Sequence, residues 1–388
     1  MDDRTRALVE TFTERFGAPP IAGMRAPGRV NLIGEHTDYN DGFCLPMAIE
    51  RDIRIALRPR ADDQVCAIDV NMDSGGETSF TLSSDIARDP DVRWADYLKG
   101  CAQVLIEDGL ALRGCDLALS GDVPLGSGLS SSAALEIATM LALLRAADLT
   151  LGAERLARLA QRAENAYVRT NCGILDQLAS ACGMEGSAML MDCRSLALSP
   201  APLPAGVRVV IADTGRRRGL VDSAYNERRS QCEAGARALG VSHLRDIDLH
   251  ALHRARVEGL LDELSARRCE HVVAENGRTL AAAACLHAGN AVALGQLMDQ
   301  SHADLRDRFA VTCPELDDMV TIARGLPGCL GSRMTGAGFG GSTVSLVLEE
   351  EVERFIAALI PAYRQRHELP AEAFATGAAP GGGVLRVV

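Results

Sequence analysis

A segment near the start of the chain places two carboxylates and an imidazole directly after a turn. Within this segment, residues 25–42, the run 30–33 predicts a short strand, and Gly34 then allows the backbone to turn. Glu35, His36 and Asp38 follow at once. Such groups donate and accept hydrogen bonds to vicinal hydroxyls, so the pattern favours binding of a neutral polyol. A solvated turn is the alternative interpretation.

A second segment, residues 124–136, combines Gly126 and Gly128 with four serines and leads into an alanine- and leucine-rich stretch. That stretch predicts a helix over residues 133–147. The free N–H groups at a helix start, together with the helix dipole, can bind an anion. The segment could therefore hold phosphates without a lysine. A serine-rich helix cap with no ligand is the alternative.

A third segment, residues 335–342, satisfies the dinucleotide-binding fingerprint formally through Gly336, Gly338 and Gly341. Its context argues against that reading, because the fingerprint should follow a strand and open a helix. Here the glycines precede a predicted strand over residues 342–348. We therefore predict a loop that packs against a ligand or against the second segment, with a purely structural glycine turn as the alternative.

The composition excludes several classes of protein. The chain of 388 residues contains 40 Lys and Arg residues, of which only Lys99 is a lysine. A Walker A loop and a protein kinase each need a lysine in a particular context, which Lys99 does not provide, and we expect Lys99 on the surface. The net charge of −12 argues against a nucleic-acid partner.

The chain ends and the cysteines indicate the compartment. The first residues are charged and show no secretory signal, and the 12 cysteines form no Cys-x-x-Cys pair, so we expect a cytoplasmic protein with reduced thiols. The uncharged stretch 279–298 is rich in alanine and contains polar residues. It therefore predicts packed soluble helices, and no membrane partner.

Helical and extended patterns alternate along the chain and predict an α+β fold. Helices are expected over residues 8–16, 133–147, 154–168 and 349–366, with a largely helical region before residue 324. Extended runs are expected over residues 30–33, 53–57, 65–70, 117–119, 207–212, 342–348 and 384–388. The proline-rich run 199–206 marks a boundary between two domains, residues 1–199 and 207–388.

Together the three segments resemble those of a known family. The first is similar to the galactokinase signature, and the others resemble the phosphate loop and the C-terminal glycine motif of the GHMP kinases, in the same order along nearly the whole chain. The resemblance implies a two-domain GHMP kinase fold with the active site in the cleft between the domains. Leu175 and Ser342 stand where many members have Met and Cys, changes that involve no charge.

The resemblance also implies roles for particular residues. It makes Asp176 the proton acceptor and Arg29 the group that stabilises the transition state. The residues implied to contact the sugar are Glu35, His36, Thr37, Asp38, Gly173 and Tyr225. Those implied to contact ATP are Trp94, Gly126, Ser127, Gly128, Leu129, Ser130, Ser131 and Ser132. Ser132 and Glu164 would be the ligands of Mg²⁺.

The implied reaction is the ATP-dependent phosphorylation of galactose at its C1 hydroxyl, which gives α-D-galactose 1-phosphate and ADP, by a monomer. Two alternatives stay open at this point: a related 1-kinase acting on N-acetylgalactosamine or another epimer, and a non-catalytic sensor that binds galactose and ATP. Mevalonate or homoserine kinase activity is disfavoured, because Glu35 and Asp38 would repel an anionic substrate.

Overall fold

The computed structural model describes residues 1–72, 76–170, 172–217 and 221–387, with the side chains of residues 221–223 outside that description. Helices and strands both contribute to each half of this region, as the sequence predicts. The helices are α1 (Asp3–Phe16), α2 (Ala95–Glu107), α3 (Ser131–Ala146), α4 (Ala153–Arg162), α5 (Leu175–Cys182), α6 (Val221–Ala238), α7 (Leu249–Val257), α8 (Glu263–His287), α9 (Ala291–Asp304), α10 (Pro314–Gly325) and α11 (Val352–Arg364).

Three sheets organise the strands of the described region. The strands are β1 (Ala22–Asn31), β2 (Phe43–Cys44), β3 (Pro46–Pro59), β4 (Gln64–Asp69), β5 (Glu77–Thr81), β6 (Cys115–Gly121), β7 (Ser187–Asp192), β8 (Leu198–Pro202), β9 (Val207–Asp213), β10 (Cys329–Met334), β11 (Ser342–Leu348), β12 (Glu372–Thr376) and β13 (Gly383–Leu385). The largest sheet has the order β13-β1-β3-β6-β4-β5, the second β10-β11-β9-β12, and the third β2-β7-β8.

Helix α3 is central to the first half of the molecule. It packs on β1 and β3 and also touches α2, α4 and α5. Its alanines and leucines are buried on most sides, as expected for a helix enclosed by other elements. Leu156, Leu159 and Ala160 of α4 are buried as its periodicity predicts. The start of α3 is therefore fixed by a surrounding core, which matters because the serine-rich segment lies there.

A second apolar core joins the two halves of the chain. Val30, Leu32 and Leu45 from the first half pack in one cluster with Ile211 and Met298 from the second. Strand β13 also returns to the first sheet, where it pairs with β1 in antiparallel register. Residues 383–385 thus lie with the first sheet, although the predicted boundary assigns them to the second domain. The division at residues 199–206 stays a prediction.

Several local predictions need correction. Residues 154–168 do not form one continuous α-helix, because α4 gives way to a π-helical turn over residues 163–168. Part of the proline-rich run forms strand β8. Lys99 is buried rather than exposed, with Nζ 3.8 Å from Oδ2 of Asp89. Residue 388, the predicted end of the last strand, lies outside the described residues.

The stretch 279–298 forms the end of α8 and the start of α9, two helices in contact with each other, as predicted. Among the described residues, no helix is both long and apolar enough to span a membrane.

Candidate active site

The turn after β1, residues 34–38, is the acidic turn, and its shape depends on Gly34. This residue has φ of 96°, and an added Cβ would lie 2.6 Å from the carbonyl oxygen of Phe43, so a side chain is excluded here. The Thr37 hydroxyl lies 2.9 Å from the carbonyl oxygen of Gly34 and 2.7 Å from that of Phe43. Thr37, predicted to contact the sugar, is fully buried and holds the turn instead of lining a cavity.

The other predicted sugar and catalytic residues lie around one cavity, the acidic cavity. It encloses about 220 Å³. Its walls come from β1, the acidic turn, α5 and its preceding loop, α6, and the glycine loop of residues 335–341. The predicted residues that line it are Arg29, Glu35, His36, Asp38, Gly173, Asp176 and Tyr225. Segments that are far apart in the sequence thus meet at one small polar site.

Asp176 and Arg29 form an ion pair at the wall of this cavity. Asp176 lies in the first turn of α5, where the positive end of the helix dipole stabilises its negative charge. Nε and Nη2 of Arg29 lie 2.8 Å and 2.6 Å from Oδ1 of Asp176. The hydroxyl of Ser130 donates to the other carboxylate oxygen. Sequence reasoning assigned Ser130 to ATP, and its bond to Asp176 was not foreseen because it joins residues 46 positions apart.

Asp38 faces the same cavity and packs over the backbone of Gly173. A Cβ at position 173 would lie only 2.3 Å from Oδ2 of Asp38, so the carboxylate can occupy this place only above a glycine. Burial, helped by the charges of Asp176 and Glu35, raises the pKa of Asp38 to about 6. Its charged form is therefore held at a cost in stability, which is common where a site is built for a ligand.

His36 is a neutral ring enclosed by aromatic groups. Burial, with a smaller effect of His271, lowers the pKa of His36 to about 3. Nδ1 lies 2.9 Å from the hydroxyl of Tyr39, and the ring centroid is 5.6 Å from that of Tyr225 and 4.7 Å from that of Phe309. A neutral imidazole can both donate and accept a hydrogen bond, which suits a hydroxyl ligand.

The serine loop, residues 124–132, separates the acidic cavity from a second one. Gly126 and Gly128 have positive φ, and so does Ser130 at the start of α3. Ser127 and Leu129 are buried, and the Ser127 hydroxyl donates to the carbonyl oxygen of Pro124. These two residues, predicted to contact ATP, therefore present no exposed side chain. The N–H groups at the start of α3 are the groups of this loop that could bind an anion.

The second cavity, the Trp94 cavity, encloses about 750 Å³. Trp94, Ser131, Ser132 and Leu135 line it together with apolar residues and the ends of β4 and β6. An apolar slot beside a helix start is suited to a flat heterocycle attached to phosphates. The third segment packs against the serine loop. The hydroxyl of Ser342, the residue directly after the glycine loop, donates to the carbonyl oxygen of Ser127 at 2.8 Å. This is the contact with the second segment that the sequence predicts.

The residues predicted to bind Mg²⁺ fit that ion. Glu164 is buried, and Gln177 Nε2 donates to it at 2.6 Å. Burial, and to a smaller extent the charge of Asp176, raises the pKa of Glu164, while the neighbouring Cys172 thiol and Ser132 hydroxyl lower it. Glu136, whose pKa is raised by burial and by Glu164, lies behind them. A divalent cation would offset this concentration of carboxylates, and Mg²⁺ prefers a carboxylate and hydroxyl oxygens of this kind.

Two charged residues behind Glu35, Arg333 and Glu275, were missed by sequence reasoning. Both are fully buried. Arg333 stands two positions before the third segment, and that proximity is the one signal the sequence carries for it. Nothing local marks Glu275, which lies in the middle of α8.

Comparisons with known proteins agree with this geometry. The models of the GHMP kinase N-terminal and C-terminal domains match residues 96–184 and 282–365, so fold and site define a GHMP kinase. The model of the galactokinase galactose-binding signature matches residues 10–59. The galactokinase of Chloroflexus aggregans is 49% identical over 92% of each chain, and that of Roseiflexus sp. is 45% identical over 92% of each. This chain belongs to the galactokinase family.

Solved structures support the same assignment. Lactococcus lactis galactokinase complexed with galactose is 34% identical, with a TM-score of 0.93 over 98% of this chain and 99% of that one. Methanococcus jannaschii mevalonate kinase is 17% identical, with a TM-score of 0.63 over 92% of this chain and 98% of that one. The second similarity concerns the fold alone.

Proposed function

We propose that this chain transfers the γ-phosphoryl group of ATP to the C1 hydroxyl of galactose. One observation carries the proposal: the acidic cavity, with the Asp176–Arg29 pair in its wall, lies beside a helix start suited to phosphates. A neutral sugar would meet Glu35, Asp38 and neutral His36, while ATP would occupy the Trp94 cavity. The serine loop lies between the two ligands, where the phosphoryl group must pass.

Asp176 is the group that would accept the proton of the C1 hydroxyl as its oxygen attacks phosphorus. A carboxylate is a weak base toward a sugar hydroxyl, so the proton moves late, as the new bond forms. Arg29 would hold Asp176 in place through their ion pair and offset the negative charge that develops on the transferred group. Phosphoryl transfer depends mainly on such positioning and charge neutralisation.

Mg²⁺ is proposed to be held by Ser132 and Glu164. When bound, the ion neutralises charge on the phosphate oxygens and helps to align them. Gln177 orients Glu164 through the hydrogen bond from its amide. Cys172 Sγ lies 3.1 Å from the same carboxylate oxygen.

A sugar panel tests the proposal. The purified protein is mixed with Mg²⁺-ATP and either galactose, N-acetylgalactosamine or glucose, and ADP release is followed by a coupled assay. We expect turnover with galactose far above that with the other two, and a phosphorus–proton NMR coupling to the anomeric proton of the product. Galactose binding without ADP release would identify a sensor instead, and faster turnover of N-acetylgalactosamine would identify the related kinase.

The monomeric state and the cytoplasmic location are also proposals, and the second is supported by the free thiols of all 12 cysteines, as expected in a reducing compartment. Light scattering of the purified protein measures the first, and fractionation of cells measures the second. A stable dimer, or recovery outside the cytoplasm, would contradict them.

A further inference from the structure

Arg333 is an arginine with no exposed surface, located on β10 directly behind the acidic turn. A guanidinium is expensive to bury, so the groups that surround it decide where it can be placed. Nothing in the proposed reaction uses Arg333 directly, because it does not line the acidic cavity.

The hydrogen bonds of the Arg333 guanidinium among the described residues all go to the segment that carries Glu35. Its Nη1 lies 3.3 Å from the carbonyl oxygen of Asn31, 3.2 Å from that of Leu32, and 3.4 Å from Oε1 of Glu35. One guanidinium thus fixes both the end of β1 and the carboxylate that follows it.

The carboxylate of Glu35 is held from one side only. Besides Arg333, the N–H of Gly336 donates to Oε1 at 2.8 Å and the Thr335 hydroxyl lies 3.2 Å from it. The hydrogen bonds that the described residues make to this carboxylate converge on Oε1. Glu35 also lines the acidic cavity, so Oε2 is the oxygen available to a ligand. Donors from β10 and the glycine loop therefore set the direction in which Oε2 points.

Glu275 completes this support from α8. Its Oε1 accepts from the N–H of Gly34 at 3.0 Å and lies 3.7 Å from Nη2 of Arg333. Burial alone would raise its pKa, but the charges of Arg278 and its neighbours hold the pKa of Glu275 at about 2. The ionised carboxylate therefore balances Arg333 and anchors the residue that precedes Glu35.

We propose that Arg333, supported by Glu275, is a positioning residue that orients Glu35 for the sugar. This inference rests on the proposed function. Arg333 lies in the second half of the chain and Glu35 in the first, 298 positions apart. Sugar affinity thus depends on the packing of the two halves of the chain. Among the described residues, Arg333 makes no hydrogen bond to the serine loop and does not line the Trp94 cavity.

The test is a double-mutant cycle with Arg333→Met and Glu35→Gln. We expect Arg333→Met to raise the KM for galactose about tenfold or more, because small displacements of a binding group have large effects, while the KM for ATP changes less than about twofold. In the Glu35→Gln background the same substitution should have little further effect, since coupled residues are not additive. Arg333→Lys should restore part of the galactose affinity by returning the charge.

Arg324→Met is the matched control. Arg324 Nη2 donates to the carbonyl oxygen of Ser332 on the same strand at 2.8 Å, and its Nε lies 2.7 Å from Asp299, so it supports β10 away from Glu35. We expect this variant to lower the melting temperature without changing the KM for galactose. An equal rise in that KM would show that any damage to β10 has the same effect, and would overturn the positioning role.

Thr335→Val provides a milder test if Arg333→Met does not fold. It removes one hydroxyl near Oε1 and keeps the side-chain shape, and we expect a rise of about threefold in the KM for galactose that disappears in the Glu35→Gln background. Unchanged KM in Arg333→Lys and Thr335→Val, or effects that add to Glu35→Gln, would overturn the inference. Absence of galactose phosphorylation by the unsubstituted protein would instead overturn the proposed function.

Discussion

The two cavities of this protein are built in different ways. The residues that line the Trp94 cavity all lie between positions 53 and 135, and many are apolar or offer backbone groups. Those that line the acidic cavity extend from position 29 to position 337 and include buried charges. One site is therefore formed within a single region of the fold, and the other exists only when distant segments pack together.

This difference has a physical consequence. A buried carboxylate or guanidinium needs partners at short distance, and those partners can come from any part of the chain. The acidic cavity should therefore respond to substitutions well outside it, whereas the Trp94 cavity should respond mainly to changes in its own walls. The following substitutions test this contrast.

Asp176→Asn should have the largest effect, because it removes the proposed proton acceptor. We expect kcat to fall by about 10²- to 10⁴-fold. ATP binding, measured by calorimetry, should be unchanged, since the Trp94 cavity is intact. Turnover near that of the unsubstituted protein would exclude Asp176 as the base.

Glu164→Gln should weaken the response to Mg²⁺. Loss of a metal contact or its support typically costs about 10- to 100-fold in metal affinity. A titration of activity and of ATP binding with Mg²⁺ measures the half-saturating concentration. An unchanged titration curve would remove Glu164 from the proposed ligands.

Asp38→Asn should stabilise the folded protein at neutral pH. The native pKa of Asp38, about 6, lies above the ordinary aspartate value of 3.8. Between about pH 4 and pH 6 the native state therefore binds more protons than the unfolded state. The contribution of Asp38 to the stability of the fold falls as the pH rises through this interval. We expect the variant to be more stable by about 3 kcal/mol at pH 7, with the difference disappearing below about pH 4. Denaturant unfolding at both pH values measures it, and a constant difference would contradict the prediction.

Gly173→Ala should raise the KM for galactose about tenfold, because the new Cβ would displace the Asp38 carboxylate from a place only 2.3 Å away. The KM for ATP should not follow. Gly152→Ala is the matched control, since no atom lies within 4 Å of its added Cβ. If both variants raised the KM for galactose equally, the close contact with Asp38 would not be the cause.

Trp94→Leu should have the smallest effect and the opposite selectivity. Loss of one aromatic wall of the Trp94 cavity should raise the KM for ATP about fivefold, as expected for a stacking contact of about 1 kcal/mol, and leave the KM for galactose unchanged. A change in the KM for galactose alone would contradict the separation of the two cavities.

Much of the fold could be predicted from local sequence. Helix α1 follows from the spacing of its buried Leu8 and Phe12, although it begins five residues earlier than predicted, and strand β11 lies at the predicted residues 342–348. The π-helical turn that carries Glu164 could not be predicted, since such turns have no strong local signal. Lys99 was expected at the surface because lysine is rarely buried, and its burial beside Asp89 depends on tertiary contacts.

The sequence by itself determined the chemical groups available to this protein, because Gly34, the acidic turn and the serine loop are contiguous segments whose residue types specify turns and an anion site. It also determined the family, through the order of those segments. Only the tertiary structure decided which oxygen of Glu35 is free, that Ser130 bonds Asp176, and that Arg333 contacts Glu35. Such pairings join residues far apart in the chain, and the need to compensate buried charge selects them when the two halves pack together.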